Sequence, residues 1–438
     1  MIDEAPGGAA RLVRALRHRN YRLFFGGQGV SLVGTWITRV ATSWLVYRLT
    51  GSELLLGVVT FSSQIPMLIL APFAGVLIDR WDRRRLLIAT QVVSAIQSAL
   101  LAVLALTNVI TVTEIIVLQV VQGIINAFDT PARQAFVVEM VDEPDDLPNA
   151  IALNSSMFNA TRIIGPTIAG LLIAGVGEGW CFAVDAVTYI AVIVSLLAMR
   201  FAGPRAGKRR ETHMIDDLRA GTRYVLGFPP VRALLLQVAL VSIMGMPYVT
   251  LMPAIVGKVL HGGPNTLGVL MTATGSGALL GTVYLASRRS VLGLGKVIVF
   301  ATTMLSAGLI AFSFSSTLWL SLLALPLVGA GMMLQSASAN TILQTVVSED
   351  LRGRVMAFYT VAILGTQPIG SLIAGALATR IGPDRTILIG AIGTLAGGLW
   401  FAMRRRALAE HIRPIYLERG ILTWDADTLE PVDSGRIR

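Results

Sequence analysis

Five polar residues of this chain follow one another at the spacing of a single helical face. Gln119, Gln122, Asn126, Asp129 and Arg133 lie at intervals of +3, +4, +3 and +4 within a largely apolar stretch, the interval that lines one side of an α-helix. Three more ionisable residues, Arg39, Arg162 and Asp185, stand inside other apolar runs. Charge inside an apolar helix is costly and marks a binding or proton-transfer role. Asp185 and Asp129 are the carboxyls that could load and release a proton, because desolvation and a neighbouring arginine act on a carboxyl in opposite senses. Pro131 predicts a weakened helix just after Thr130, with Asp129 near its end and Arg133 as a local i,i+4 partner. Softer polar positions recur at Gln28, at Asn159 beside Arg162, at Gln335 and at Gln367.

Other chemistries find no support. No Gly-Lys is followed by Ser or Thr, so a phosphate loop is absent, and there is no His-Glu-x-x-His. The four histidines (His18, His213, His261, His411) show no ligand spacing, and a single cysteine, Cys181, excludes a disulfide framework or a cysteine metal cluster. The expectation is a chain with no cofactor and no metal that is not an enzyme.

The elements that carry these residues must be membrane helices. Hydrophobic residues make up 54% of 438 and charged residues 14%, against about 25% charged in a soluble domain; mean hydropathy is +0.69. Near-continuous apolar runs of the length needed to cross a bilayer fall at 21–48, 54–78, 86–106, 113–131, 149–175, 180–200, 231–256, 265–287, 296–314, 317–341, 355–379 and 384–403. Gly277-x-x-x-Gly281 and Gly393-x-x-x-Gly397 allow close helix approach. Of the 36 Lys and Arg, 30 fall on one side of this arrangement, 4 on the other (Arg48, Lys258, Arg380, Arg385), and Arg39 and Arg162 lie within spans. That asymmetry predicts both termini in the cytoplasm. It also accounts for the net charge of +10 without nucleic acid as a partner. The basic N-terminal stretch leads into an apolar run, Leu23 to Leu49, too long for a cleaved signal.

The prediction is therefore an all-α membrane protein of twelve transmembrane helices in two six-helix bundles. The bundles span 1–200 and 231–403; 201–230 is a cytoplasmic linker with an amphipathic helix over Met214–Leu226, and 404–438 is a cytoplasmic tail. Near-equal halves suggest duplication. A weak echo links Gly165-Pro166-Thr167-Ile168-Ala169-Gly170 in span five to Gln367-Pro368-Ile369-Gly370-Ser371 in span eleven, and helices interrupted at matching places point to a transporter.

The turn after span two reads Gly75-Val-Leu-Ile-Asp79-Arg80-Trp-Asp82-Arg83-Arg84-Arg85. This resembles the signature of the major facilitator superfamily, with Asp82 where the pattern has a second Gly. Gly165, Pro166 and Gly170 resemble the span-five motif of antiporters in that superfamily. Asn126 to Val141 and Thr341 to Ala357 resemble its bacterial drug and siderophore exporter branch, which includes the enterobactin exporter. The resemblance runs to about Arg406 and implies the major facilitator fold in a bacterial inner (cytoplasmic) membrane. Spans one, four, seven and ten would line a cavity for a small-molecule substrate, and Gly75, Asp79, Arg80, Arg83 and Arg84 would form a cytoplasmic gate. Spans one and six would be neighbours, which predicts a buried Arg39–Asp185 pair. Protons are the expected coupling ion and a monomer the expected state. An importer, an uncoupled facilitator of a small metabolite and a non-transporting receptor remain the alternatives.

Overall fold

The computed structural model describes residues 13–78, 81–200, 214–288, 290–424 and 431–433. Thirteen helices carry almost all of it. The first six are α1 (Arg19–Thr50), α2 (Glu53–Ile78), α3 (Arg83–Leu106), α4 (Val112–Met140), α5 (Leu147–Val176) and α6 (Glu178–Ala198). Then come α7 (Met214–Gly227), α8 (Pro229–Lys258), α9 (Pro264–Ser287), α10 (Leu294–Ser313), α11 (Leu318–Val346), α12 (Glu349–Ile381) and α13 (Pro383–Glu418). Two short strands, β1 (Leu422–Trp424) and β2 (Pro431–Asp433), pair antiparallel with Leu422 opposite Asp433.

Among the described residues eleven helices are long and apolar enough to cross a membrane. The 32-residue α1 is not one of them, because Gln28, Arg39 and its many Gly and Thr residues dilute its apolar content. Large apolar side chains stand outward along the helices, for example Leu171, Val187, Leu280 and Leu323 at 64–73% exposure. Apolar surface on that scale needs a lipid environment.

Helix ends follow local chemistry. Gly51 closes α1 in the left-handed conformation (φ 59°), its N–H donating to the Tyr47 carbonyl at 2.7 Å. Asp82 caps α3 by accepting from the Arg85 N–H at 2.9 Å, which explains the Asp at the second glycine position of the loop pattern. Thr111 and Glu114 form a capping box at the start of α4.

The chain divides into two compact units, 1–210 with 261–272, and 211–260 with 273–438. In the first, α1 and α3 pack on α6, α2 on α4, and α1 on α5, around a core that includes Tyr21, Phe24, Phe136, Met140 and Leu196. In the second, α8 and α10 pack on α13 and α10 on α11. There α9 meets α11 so closely that a side chain at Gly277 would overlap the Pro326 carbonyl. The neighbour pattern of α1–α6 is thus repeated in α8–α13. The second core includes Leu234, Ile298, Leu343, Val347, Phe401 and Tyr416.

Three boundary expectations are corrected. Helix α4 runs unbroken through Pro131 to Met140, because Phe136, Val137 and Met140 are buried in the core and hold the last turns in place. Helix α5 likewise continues through Pro166, so span five is not interrupted. Helix α13 extends past residue 403 to Glu418, anchored by buried Leu408 and Tyr416. Residues 201–213 of the linker lie outside the described residues; the helix after them, α7, docks on α12, where Gly221 approaches Phe358 and Arg354.

Candidate substrate and coupling site

The polar stripe of α4 is answered by one on α3. Asp129, 6% exposed, accepts hydrogen bonds at one carboxylate oxygen from the Thr90 hydroxyl (2.9 Å) and the Gln91 amide (2.8 Å). Arg133 lies 3.8 Å from the other oxygen. Gln122 donates to Asn126 at 3.1 Å and approaches the Ser94 hydroxyl at 3.4 Å. Thr90, Gln91, Ser94, Gln97 and Ser98 are all buried, and the sequence reading missed them. Their spacing of +1, +3, +3 and +1 in the third apolar run was the available signal. A carboxylate with three partners is a fastener between two helices.

Asp185 is placed differently. It is 1% exposed and accepts from the Ser98 hydroxyl at 2.8 Å. Its Oδ1 faces the backbone of α1 at Gly34, where a Cβ would lie 2.6 Å away. That oxygen and the buried hydroxyls of Thr38 and Thr42 have no hydrogen-bond partner among the described residues. Gly34, Thr38 and Thr42 repeat every four residues, one face of α1 turned to α6.

The expected Arg39–Asp185 pair does not form. Arg39 follows Gly34 by five positions, a rotation of roughly 140° about the helix at 3.6 residues per turn, so its side chain leaves the α6 face. Its guanidinium lies 4.7 Å from the Trp36 ring centroid, and the Trp36 ring meets Phe158 of α5 at 6.2 Å. Arg162, one turn beyond Phe158, interacts electrostatically with Arg39. No carboxylate among the described residues is within ion-pair distance of Arg39, whose side chain is exposed. Two like charges are thus gathered where α1 meets α5.

The remaining residues scatter. Gln28 and Gln335 are buried at 4% and 2% exposure, and the Gln335 amide nitrogen has no partner among the described residues. Gln119 and Gln367 are half-buried. Asn159 donates back to the Ser155 carbonyl of its own helix at 2.9 Å. Gly170 and the Pro166 carbonyl meet the first turns of α9: a Cβ at Gly268 would lie 2.5 Å from that carbonyl. The Thr167 and Thr272 hydroxyls bond there at 2.6 Å.

Of the loop motif, Asp79 and Arg80 lie outside the described residues, and Gly75 stands in the last turn of α2. Arg83 pairs with Glu139 of α4. Arg84 donates to the Leu196 and Leu197 carbonyls at 2.8 and 3.0 Å, adding side-chain donors to the C-terminal carbonyls of α6.

The second unit holds a feature the sequence reading missed. Helices α8 and α12 each contain one π-helical turn, Val241–Gly245 and Val361–Gly365. The Ser242 hydroxyl donates to the Ile363 carbonyl at 2.6 Å, and Gly370 admits the Ile243 carbonyl against its backbone. Such turns gather at functional positions in helices. Each ends in Gly with Pro two or three residues on, Gly245-Met246-Pro247 and Gly365-Thr366-Gln367-Pro368, and each proline withholds a backbone donor.

Polar and charged groups buried between long apolar helices, in two units that repeat one packing pattern, define a multi-pass membrane protein. The chain belongs to the transmembrane secretion effector family, which it matches over residues 12–413. It is 26% identical over 388 residues to the staphyloferrin A transporter of Staphylococcus aureus, covering 88% of this chain and 96% of that one. It is 28% identical over 363 residues to the multidrug efflux pump Tap of Mycolicibacterium fortuitum, covering 81% and 88%. With the macrolide efflux protein A of Streptococcus pyogenes it shares 23% over 391 residues, covering 86% and 95%. The fold is that of major facilitator transporters. A bacterial homolog of the human lysosomal transporter Spinster superposes with a TM-score of 0.70 at 13% identity, covering 90% of this chain and 98% of that one. A bacterial homologue of the iron transporter ferroportin does so with 0.69 at 16%, covering 88% and 98%.

Proposed function

We propose that this chain exports a small amphiphilic compound, a drug or a siderophore, across the bacterial inner membrane by proton antiport and alternating access. In this reading α1 is the first of twelve spans, both termini are cytoplasmic as the basic residues direct, and the protein works as a monomer. The observation that carries the reading is the gathering of Arg39 and Arg162 where α1 meets α5, with no carboxylate among the described residues paired to Arg39. An exposed arginine some 30 Å along a membrane helix, 20 residues at 1.5 Å each, belongs in a water-filled cavity and not in lipid. There it favours an anionic group on the cargo. The staphyloferrin, macrolide and multidrug transporters among the relatives support a small-molecule cargo and outward movement.

Asp185 is the proton site in this reading. A buried carboxyl with one donor and no cation among the described residues is the environment that tolerates the neutral acid, whereas Asp129 is committed to Thr90, Gln91 and Arg133. Asp79 holds the cytoplasmic gate, so Asp79→Asn lowers transport without loss of inserted protein. The decisive assay uses inverted vesicles with an imposed pH gradient and a panel of siderophores and macrolides. Gradient-driven uptake is expected in the native protein, abolished by Asp185→Asn and retained per folded molecule by Asp129→Asn. Uptake indifferent to the gradient would leave an uncoupled facilitator, and accumulation only in right-side-out vesicles would make the protein an importer.

A further inference from the structure

The second unit carries a cleft of about 660 Å³ where α11 ends, α12 begins and α13 turns into the hairpin. That volume falls in the range of small-molecule sites, about 300–1,000 Å³. Among the described residues its polar lining is Asn340, Thr341, Gln344, Thr345, Arg352 and Arg419, two cations and no carboxylate. We propose that this cleft binds a small ligand or headgroup bearing a phosphate-like oxyanion, gripped by Arg352 and Arg419.

The donors are present and under-used. Arg352 Nε is buried with no hydrogen-bond partner among the described residues. Its ion pair to Glu349 is 4.0 Å long and reaches a side chain 89% exposed, so it is weak. Arg419 spends one donor on the Val347 carbonyl at 3.1 Å, and a guanidinium carries five. Thr341 and Thr345 turn their hydroxyl protons to backbone carbonyls. The Gln344 amide donates one proton to the Asn340 side-chain oxygen at 2.5 Å, so the remaining donors are the two guanidiniums, the Asn340 amide and the second Gln344 amide proton, a set suited to an oxyanion.

The position of Arg419 is built. Helix α13 continues 15 residues beyond Met403, and Leu408 and Tyr416 are buried while Ile412, Ile415 and Ile421 pack on the same core. Arg419 and Ile421, both cleft residues, lie past residue 413, where the family match ends. One wall of the site thus comes from residues beyond the matched region. Gln344 stands roughly 13 Å along α11 from Gln335, nine residues at 1.5 Å each, so the cleft lies beyond the buried polar positions of that helix.

The test uses the full-length protein in nanodiscs of phosphatidylcholine, with the midpoint of thermal unfolding as readout. One arm titrates inorganic pyrophosphate against potassium chloride of equal ionic strength. The other adds phosphatidylglycerol to the disc and no soluble anion. A rise in the first arm identifies a free phosphate-bearing solute, and a rise in the second alone identifies a lipid headgroup. Arg352→Gln and Arg419→Gln should each weaken the responding interaction roughly 10- to 100-fold, the effect of losing one charged hydrogen bond. Arg419→Gln also breaks the bond to Val347, so if that variant unfolds, the comparison of Arg352→Gln with the native protein decides the test. No rise in either arm, a rise matched by potassium chloride, or one that survives Arg352→Gln overturns the proposal.

Discussion

Replacing Asp185 with Asn is expected to stabilise the protein while it abolishes gradient-driven transport. The carboxyl is buried between α1 and α6, accepts one bond from Ser98 and meets no cation among the described residues. Burying charge without compensation is costly, and a neutral group of the same shape removes that cost. Asn keeps the acceptor for Ser98. Its new Nδ2 takes the place of Oδ1, beside the Thr38 hydroxyl, which interacts with Asp185 without meeting hydrogen-bond geometry. One new hydrogen bond contributes about 0.5–1.5 kcal/mol. Together with the relief of desolvation the gain is about 1–2 kcal/mol, or roughly 2–8 °C for a unit near 200 residues. The assay is thermal unfolding of detergent-purified protein, read as loss of the monodisperse chromatographic peak. Asp129→Asn should move the other way by about 1–3 kcal/mol, because its amide would turn a donor toward Arg133. An Asp185→Asn protein that melts several degrees below the native one would refute the reasoning, since the carboxylate would then be holding a partner that helps the fold.

Three further outcomes follow from the packing. Arg39→Met breaks no ion pair, so it should cost only the Trp36 contact, about 0.5–1 kcal/mol, while weakening binding of anionic cargo. Combined with Asp185→Leu its thermal effect should add, and a coupling well above about 0.5 kcal/mol would restore the pair. Arg84→Met removes two donors from the end of α6 and should lower stability by about 1–3 kcal/mol; Arg84→Lys should recover little, because a point charge cannot span both carbonyls. Gly277→Val should sharply reduce folded yield, its side chain colliding with the Pro326 carbonyl at an overpacking cost of about 1–3 kcal/mol or more. Gly281→Ala, where a Cβ would lie 3.0 Å from the Ala330 carbonyl, should be milder in a yield comparison.

The sequence by itself determined the class of this protein. A bilayer demands long apolar helices with their backbone bonds satisfied internally, so apolar runs mark the spans from composition alone, and every expected run lies on a helix. Features that repeat along one helix were equally legible, among them the α4 stripe and the Gly277-x-x-x-Gly281 approach. Whether a proline breaks its helix was not, since burial of Phe136 and Met140 downstream outweighs the donor that Pro131 lacks. Nor was the choice of partners for buried charge. Asp129 and Asp185 look alike in sequence, one carboxyl each in an apolar run, and only the neighbouring face of α3 makes one a fastener with two hydrogen bonds and leaves the other with an orphan oxygen. Arg39 and Asp185 share a depth in the sequence pattern, but depth is one coordinate. The other is rotation about the helix axis, and Gly34 spends the α6 face on the carboxylate while Trp36 and Arg39 turn toward α5. Which residues share a span is written along the chain; which face meets which neighbour is decided only when helices far apart in sequence pack together.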